Sequence, residues 1–328
     1  MQTISLPVLV TGGTGFLARH TIANLLHRGM TVRTTVRSAS RGERLRDGLG
    51  AAGVDATGLQ FAVADLLDPS GWARAMEGIG GVLHMATPMT GKDVVAAAVD
   101  GTRRVLDASA DAGIRRIVVT SSGLAASRPG DATSSITEAD WTDPQRPGTS
   151  DYARAKTLAE RAAWSLARDR DLALTTILPG AILGPRLGQD RPGWLALIDG
   201  MLQGRMAALP PVRLQMVDVR DLARLHVDAL LSPAAEGQRY IAMGESYSFR
   251  EVAVVLREEF GPAAAKVQTR EMPAWLLRLA GLFSAQARQG AALLDTRGTM
   301  SASKAHDELD WQTRSVRQSI IDTARSLL

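Results

Sequence analysis

Leu6-Pro-Val-Leu-Val-Thr11-Gly12-Gly13-Thr14-Gly15-Phe16-Leu17-Ala18 is the stretch that decides the fold of this 328-residue chain. Its first half is a short apolar run rich in β-branched residues, which is typical of a buried parallel strand. Residues 18–28 then carry apolar side chains at helical spacing and stop at Gly29, and residues 30–36 have the pattern of a second strand. The order strand, glycine-rich turn, helix, strand predicts a dinucleotide-binding α/β unit.

The turn holds the residue types that a pyrophosphate needs. Gly12 permits a tight turn, Gly15 lets the backbone approach the phosphates, and Ala18 is small enough for the helix to pack on the strand. The free amides and positive dipole at the helix start then attract the anion. A glycine-rich turn without a ligand is the alternative. The residues expected to contact the cofactor here are Thr11, Gly12, Thr14, Gly15, Phe16 and Leu17.

The end of the second strand favours NADP(H) over NAD(H). An NAD-specific protein places an acid there, roughly 20 residues past the glycines, to hold the ribose hydroxyls. This chain has Thr34-Thr-Val-Arg37-Ser38 at that point and no acid before Glu43. The Arg37 guanidinium, helped by Ser38 and Arg41, is suited to the adenosine 2′-phosphate.

Two further strands are expected over residues 59–64 and 81–86, each followed by residues at the carboxyl edge of the sheet. Asp65 is placed to accept a bond from the adenine amino group, with Leu66 packing on the ring. A helix cap or turn role is the alternative for Asp65. After the fourth strand, Ala86, Thr87 and Pro88 are expected beside the ribose.

The pair Tyr152 and Lys156 predicts acid–base chemistry. The chain has three tyrosines and four lysines, so a pair at this spacing is expected by chance about 0.04 times. The i, i+4 spacing puts both side chains on one helix face. An ammonium beside a phenol favours the phenolate and eases proton transfer at neutral pH.

The composition excludes several classes of function. The chain is 45% apolar and 22% charged, as in an ordinary globular protein, and has no cysteine for disulfides, thiolate catalysis or thiolate metal sites. The five histidines are scattered without metal-ligand spacing, so no metal is expected. The net charge of +4 comes from dispersed arginines, without a nucleic-acid-binding motif. No apolar stretch approaches the ~20 residues of a membrane span. We expect a soluble cytoplasmic protein with no nucleic-acid or membrane partner.

The motifs together resemble those of the extended short-chain dehydrogenases/reductases. They are Thr11-Gly12-x-x-Gly15, Asp65-Leu66, Ser121-Ser122 and Tyr152-x-x-x-Lys156, and the ordered set covers nearly the whole chain. The closest resemblance is to the dihydroflavonol reductase, cinnamoyl-CoA reductase and aldehyde (methylglyoxal) reductase branch. The sequence features that point to this branch are Ala18, the Thr-Val-Arg37 strand end, His84-Met-Ala-Thr-Pro88, Asp151-Tyr-Ala-Arg-Ala-Lys-Thr-Leu-Ala-Glu160 and Pro179-Gly-Ala-Ile-Leu-Gly-Pro185.

The resemblance implies catalytic roles. Tyr152 is the general acid in reduction, Lys156 holds the nicotinamide ribose and keeps Tyr152 acidic, and Ser122 binds the substrate carbonyl oxygen. Ser121 is the alternative to Ser122. The chain departs from the superfamily at the asparagine that often precedes a Gly-Thr pair on the fourth helix, and Asp100 either replaces it or is an ordinary helix residue. Further cofactor contacts are implied at Thr120, Pro179 and Ile182, besides Tyr152 and Lys156 themselves.

The fold implied is a Rossmann-type doubly wound parallel sheet with a smaller α+β C-terminal substrate lobe. Residues 1–185 are expected to bind NADP(H), with 213–232 rejoining that domain, and 186–212 and 233–328 to form mainly the substrate lobe. A small-molecule carbonyl compound is the expected substrate, with Arg186 and Arg191 available to an acidic group. The apolar residues expected to line its cleft are Met89, Leu124, Leu183, Trp194, Met206 and Met216, any of which is also suited to core packing.

The function expected is NADPH-dependent reduction of an aldehyde or ketone by a monomer or homodimer. An NAD-dependent nucleotide-sugar epimerase or dehydratase on the same fold is the first alternative. A non-catalytic NADP-binding redox sensor is the second, and Tyr152 with Lys156 argues against it because a sensor does not need them.

Overall fold

The computed structural model of the protein defines residues 6–87, 93–127, 135–190, 193–283, 285–294 and 298–328. The strands are β1 Val8–Thr11, β2 Val32–Val36, β3 Gln60–Val63, β4 Gly81–His84, β5 Arg116–Thr120, β6 Ala173–Pro179, β7 Ala181–Leu183, β8 Arg213–Asp218, β9 Arg239–Ala242 and β10 Ser246–Ser248. The α-helices are α1 Phe16–His27, α2 Ala39–Ala51, α3 Trp72–Met76, α4 Val94–Asp111, α5 Asp151–Asp169, α6 Trp194–Leu202, α7 Val219–Leu231, α8 Phe249–Phe260, α9 Ala274–Ala280, α10 Ala285–Leu293, α11 Ser303–Leu309 and α12 Val316–Arg325.

Within these ranges, seven strands form a parallel sheet in the order β3-β2-β1-β4-β5-β6-β9. The order reverses between β1 and β4, and this switch point is where open α/β sheets bind ligands, beyond the carboxyl ends of the strands. The predicted Rossmann-type fold is confirmed.

Helices cover both faces of this sheet. Helices α1, α2, α7 and α11 pack on one face through a core that includes Ile22, Leu45 and Leu222. Helices α3, α4 and α5 cover the other face through Met76, Leu106 and others. Because both faces are buried, the central strands are apolar almost throughout, as the sequence of β1 indicated.

A smaller sheet and its helices form the C-terminal part. Strand β8 pairs in parallel with β7 and antiparallel with β10. Helices α6, α8 and α12 enclose this sheet around a second apolar core.

The strand 213–218 does not rejoin the large sheet, which corrects one expectation. After β6 the chain passes through Gly180, where a Cβ would lie 2.6 Å from the Met243 sulfur, and then runs into β7, the partner of β8. The edge of β6 is therefore filled by β9, from the region assigned to the substrate lobe. Helix α7 does rejoin, because its apolar face packs on α1 and the sheet. The division of the chain into two domains stays a prediction.

Candidate functional site

The glycine turn lies at the switch point, between β1 and the residues that follow β4. Gly12 has a φ of +70°, and a Cβ there would lie 2.9 Å from the Ala86 Cβ. The Gly12 amide donates to Thr35 Oγ1 at 2.9 Å. Gly13, which the sequence analysis did not single out, packs directly on the Thr34 side chain. Side chains larger than hydrogen are therefore excluded at both positions, and the turn stays tight beneath the pocket.

The start of α1 is built to receive an anion. Gly15 is the N-cap, it is exposed, and the first turn has neither an acidic residue nor a side-chain cap. The first amides of the helix, those of Phe16 and Leu17 among them, thus lack intrahelical acceptors. The Leu17 side chain is buried in the core, so only its amide can serve a ligand. Thr14 is half-buried beside them. The residues present fit a pyrophosphate.

Arg19 is a residue that the sequence analysis missed in this region. Its guanidinium donates to the carbonyl oxygens of Thr14 at 3.1 Å and Leu187 at 2.8 Å. It also forms an ion pair with Asp190 at 2.6 Å. Arg19 therefore ties the start of α1 to the loop that leads from β7 to α6. Leu187 and Asp190 are 168 and 171 residues distant from Arg19 in sequence, so no local pattern indicates these two partners.

Arg37 lies one residue beyond β2, and its side chain is exposed. It is followed by α2, whose N-cap Ser38 makes no side-chain capping bond and whose first turn has no acid. Glu43, the first acid after β2, forms an ion pair with Arg46 at 2.7 Å. The hydroxyls of Ser38 and Ser40 form a hydrogen bond with each other at 3.2 Å. The end of β2 thus offers positive charge and hydroxyl groups to a ligand, which fits a 2′-phosphate.

Asp65 and Leu66 follow β3. Asp65 Oδ1 accepts the amide of Leu67 at 3.0 Å, and the Asp65 carbonyl oxygen accepts Trp72 Nε1 at 2.9 Å. Asp65 is therefore a turn residue, which was the alternative to a role in adenine binding. Leu66 is buried between the α3 region and Gly101 of α4. A contact of either side chain with adenine stays a prediction.

Ser122 and Tyr152 face each other across the ends of β5 and α5. Ser122 caps a short 3₁₀ turn and accepts the amide of Leu124 at 3.2 Å. Its hydroxyl also forms a hydrogen bond with Tyr152, while burial raises the pKa of the phenol above its usual value. Helix α5 starts at a fixed point because Ser150 caps it by accepting the amide of Ala153.

The raised pKa of Tyr152 differs from the expectation that Lys156 keeps this phenol acidic. Burial is the dominant cause, and the Ser122 hydrogen bond lowers the pKa only in part. The Lys156 ammonium instead donates to Thr87 Oγ1 at 2.9 Å and to the Thr120 carbonyl at 3.1 Å. Tyr152 is therefore protonated at neutral pH, the form that a general acid needs.

Lys156 is buried in surroundings that are mainly neutral. Burial lowers its pKa to about 8, and Glu160 opposes this shift. Burial also lowers the pKa of His84 to about 3 and that of His226 to about 4, so both imidazoles are neutral. Lys156 thus carries the positive charge at this point of the site, and it loses this charge just above neutral pH.

His84 and His226 each form a hydrogen bond with a threonine of the site. Thr11 Oγ1 accepts the amides of Met85 and Ala86, so its proton goes to His84 Nδ1 at 2.8 Å. Thr120 Oγ1 lies 2.9 Å from His226 Nε2, whose other ring nitrogen lies 2.8 Å from a backbone carbonyl. These hydrogen bonds fix the side chains at the carboxyl ends of β1 and β5, next to the site.

Ser121 and Asp100 lie away from the position where a substrate would react. The Ser121 hydroxyl donates to Glu160 at 2.5 Å, so Ser122 is the serine beside Tyr152. Asp100 is exposed and lines a surface groove between α3 and α4. The α4 residues that face Lys156 are Ala98 and Thr102. Asp100 is therefore an ordinary surface residue of the helix and does not replace the relay asparagine.

Several residues expected to line the substrate cleft belong to the second core. Leu183 and Met216 are 1% and 4% exposed, and they pack among the residues of α6 and α8. The expectation was wrong for these two because apolar residues on β7 and β8 are needed to cover the small sheet. Trp194 and Met206 are half-buried at the edge of this core, with the Trp194 ring 6.1 Å from that of Phe249.

The remaining predicted contacts are distributed around the edge of the sheet. Leu124 is half-buried next to Ser122, Ile182 is half-buried, and Pro179 ends β6. Arg186 donates its Nε proton to the Ser326 carbonyl at 2.6 Å, so it braces the end of α12, and its contact with an acidic substrate group stays a prediction. Pro88, Met89 and Arg191 lie outside the described residues.

Comparison with known proteins identifies the family. The sequence model of the NAD dependent epimerase/dehydratase family matches residues 8–248. Cinnamoyl-CoA reductase 1 of Oryza sativa subsp. japonica is 35% identical over 81% of this chain and 80% of its own length. Tetraketide alpha-pyrone reductase 2 of Arabidopsis thaliana is 32% identical over 77% of this chain and 82% of its own. The chain therefore belongs to this family of extended short-chain dehydrogenases/reductases, and it is an oxidoreductase.

A solved structure of the same fold is that of yeast methylglyoxal/isovaleraldehyde reductase Gre2 complexed with NADPH. It has a TM-score of 0.81 at 23% identity and covers 98% of both chains. This structure shows the same fold, and the relatives at 30% identity or more confirm the predicted resemblance to the cinnamoyl-CoA reductase branch. In the part of the chain that the structure defines, no helix has the length and apolar character needed to span a bilayer.

Proposed function

We propose that this protein is an NADPH-dependent carbonyl reductase, which transfers hydride to the carbonyl carbon of an aldehyde or ketone and yields an alcohol. The observation that supports this most is the position of three side chains. Ser122, Tyr152 and Lys156 converge at the carboxyl edge of the sheet, where the glycine turn and Ala86 also lie. The reductases named among the relatives support the same reaction class.

The residues that would hold the cofactor lie around the switch point of the sheet. The amides at the start of α1 suit its pyrophosphate, and Arg37 with Ser38 suits the 2′-phosphate. Thr87 and Lys156, whose side chains form a hydrogen bond of 2.9 Å, suit the ribose next to the nicotinamide. When bound, the cofactor supplies the hydride.

The side chains around the carbonyl oxygen would manage the charge that develops there. The Ser122 hydroxyl and the Tyr152 phenol interact with each other, so one carbonyl oxygen would be within reach of both. Tyr152 donates its proton to the oxygen as the carbonyl becomes an alkoxide, so the product leaves as a neutral alcohol. The Lys156 charge stabilises the phenolate that remains. A desolvated pocket strengthens each of these interactions.

The experiment is to follow NADPH oxidation at about 340 nm with aromatic ketones, β-ketoesters, dicarbonyls, aldehydes and, as a separate set, UDP-sugars. We expect consumption of NADPH with at least one carbonyl compound and formation of the matching alcohol. The Tyr152→Phe variant is the matched control, because we expect it to retain the fold while it lacks the phenolic proton. Conversion of UDP-sugars without net NADPH oxidation would refute the proposal and favour an epimerase.

A further inference from the structure

Glu160 is a buried carboxylate one helical turn beyond Lys156, and the proposed chemistry does not use it. Its side chain is 1% exposed. A charge that is buried to this extent is retained only when it is paired and hydrogen-bonded. Its contacts therefore show which elements depend on it.

The Glu160 carboxylate connects four elements of the site. Oε2 accepts a hydrogen bond of 2.5 Å from the hydroxyl of Ser121, which lies between Thr120 and Ser122 at the end of β5. Oε1 accepts Thr176 Oγ1 of β6 at 2.7 Å. Oε1 also accepts Arg239 Nε of β9 at 2.8 Å. The end of β5 is thereby bonded to the helix that carries Tyr152 and Lys156.

Arg239 is held on its other side. Its guanidinium carbon lies 3.7 Å from the centroid of the Trp141 ring, and it donates to the carbonyl oxygens of Glu138 and Asp140. Arg239 therefore has a fixed position from which it balances the charge of Glu160.

Glu160 also lies close to the Lys156 ammonium. Both side chains line one small buried cavity, of about 10 Å³, together with His84 and Ser121. The ionisable groups around Lys156 in the described structure are Tyr152 and Glu160 on α5, His84 on β4, His226 on α7 behind Thr120, and Arg239 on β9 behind Glu160. Because both histidines are neutral, Glu160 is the anion in this set.

We propose that Glu160 is a positioning residue of the reductase site, which locks Ser122 of the β5 end against the Tyr152 helix and retains the proton on Lys156. This inference rests on the proposed function for its catalytic meaning. Removal of the negative charge would leave Lys156 facing Arg239 without a counter-ion, and Lys156 would lose its proton at a lower pH.

The four lysines of the chain make a direct test possible. NMR spectra of protein labelled with carbon-13 at lysine Cε contain one signal for each of the four lysines. The signal that disappears in Lys156→Arg is that of Lys156, and its chemical shift is followed as the pH is changed. We expect its titration midpoint to lie near pH 8 in the wild type. In Glu160→Gln the midpoint should fall by about one pH unit or more, and Glu160→Asp should restore part of the loss. An unchanged midpoint in Glu160→Gln would overturn the proposal.

Two further variants keep the test decisive. Arg239→Gln removes the balancing cation, so the Lys156 midpoint should rise; no rise there would overturn the proposal even if Glu160→Gln does not fold. Asp221→Asn is the matched control, because Asp221 is also a buried carboxylate paired with an arginine, Arg314 at 2.8 Å. It should leave the Lys156 midpoint unchanged, and an equal fall would mean that any lost ion pair has this effect.

Activity gives a separate readout. In Glu160→Gln the alkaline limb of kcat/KM should move to lower pH together with the titration midpoint, whereas a purely structural role would lower kcat at every pH. A wild-type protein that reduces no carbonyl compound would refute the proposed function. The titration would still decide whether Glu160 controls Lys156.

Discussion

Replacement of Lys156 by methionine is expected to stabilise the folded protein at neutral pH while it removes activity. Burial lowers the pKa of Lys156 from 10.5 to about 8. At 1.36 kcal/mol for each pH unit, the buried charge costs about 3 kcal/mol of stability. Methionine fills similar space without charge, but it leaves the Thr120 carbonyl without the Lys156 donor, which costs about 1–3 kcal/mol. The net gain at pH 7 should reach up to about 2 kcal/mol.

The dependence of this gain on pH distinguishes the removal of a buried charge from a change in packing alone. Below pH 8, Lys156 is charged in both the folded and unfolded states, so the wild type bears the full burial penalty. As the pH rises from 8 towards 10.5, the folded state loses its proton first and the penalty is relieved. The advantage of Lys156→Met should therefore shrink through this range.

Urea unfolding of both proteins at a series of pH values measures this difference. Lys156→Arg serves as the control, because arginine keeps its charge across the range. The difference in unfolding free energy between Lys156→Arg and Lys156→Met should therefore not change with pH. A difference in unfolding free energy that is constant between neutral pH and pH 10.5 would show that Lys156 is not a destabilised buried cation.

Three other variants test separate parts of the site. Tyr152→Phe should lower turnover by ~10²-fold or more with cofactor affinity nearly intact, measured by steady-state rates and NADPH fluorescence titration; near-normal turnover would remove Tyr152 from its role. Arg37→Asp should raise the Michaelis constant for NADPH by about tenfold or more and lower that for NADH, and a retained preference for NADPH would show that Arg37 is not the selector. Leu183→Ala should lower the free energy of unfolding, measured in urea, by about 2–5 kcal/mol, because Leu183 lies in the core. The Michaelis constant of the substrate should change little; a large change in it with unchanged stability would show that Leu183 lines the cleft.

The sequence predicted those parts of the site that are encoded locally. The turn at Gly12 needs a positive φ, and the i, i+4 spacing of Tyr152 and Lys156 needs one helix face, so short motifs specify both. Arg37 was predicted for the same reason, because it follows directly after a strand. The order of these motifs along the chain then indicated the family resemblance, and the resemblance implied the roles of their residues.

The parts that sequence did not predict depend on contacts between distant residues. Arg239 reaches Glu160 across 79 positions, and no periodicity indicates such a pair. The apolar character of Leu183 and Met216 suits a cleft and a core equally, so only packing distinguishes the two. Similarly, β6 pairs with β9 and not with β8, a choice between segments distant in sequence that no local pattern indicates.

In the proposed reaction, hydride passes from NADPH to a carbonyl carbon at the Ser122–Tyr152 site. NADPH that carries one deuterium at C4 of the nicotinamide, prepared in both stereochemical forms, makes this transfer visible. We expect one form to transfer a single deuterium to the carbinol carbon of the alcohol, seen by mass spectrometry, and Tyr152→Phe to form this product at least ~10²-fold more slowly. A product alcohol without deuterium from either form would refute hydride transfer at this site.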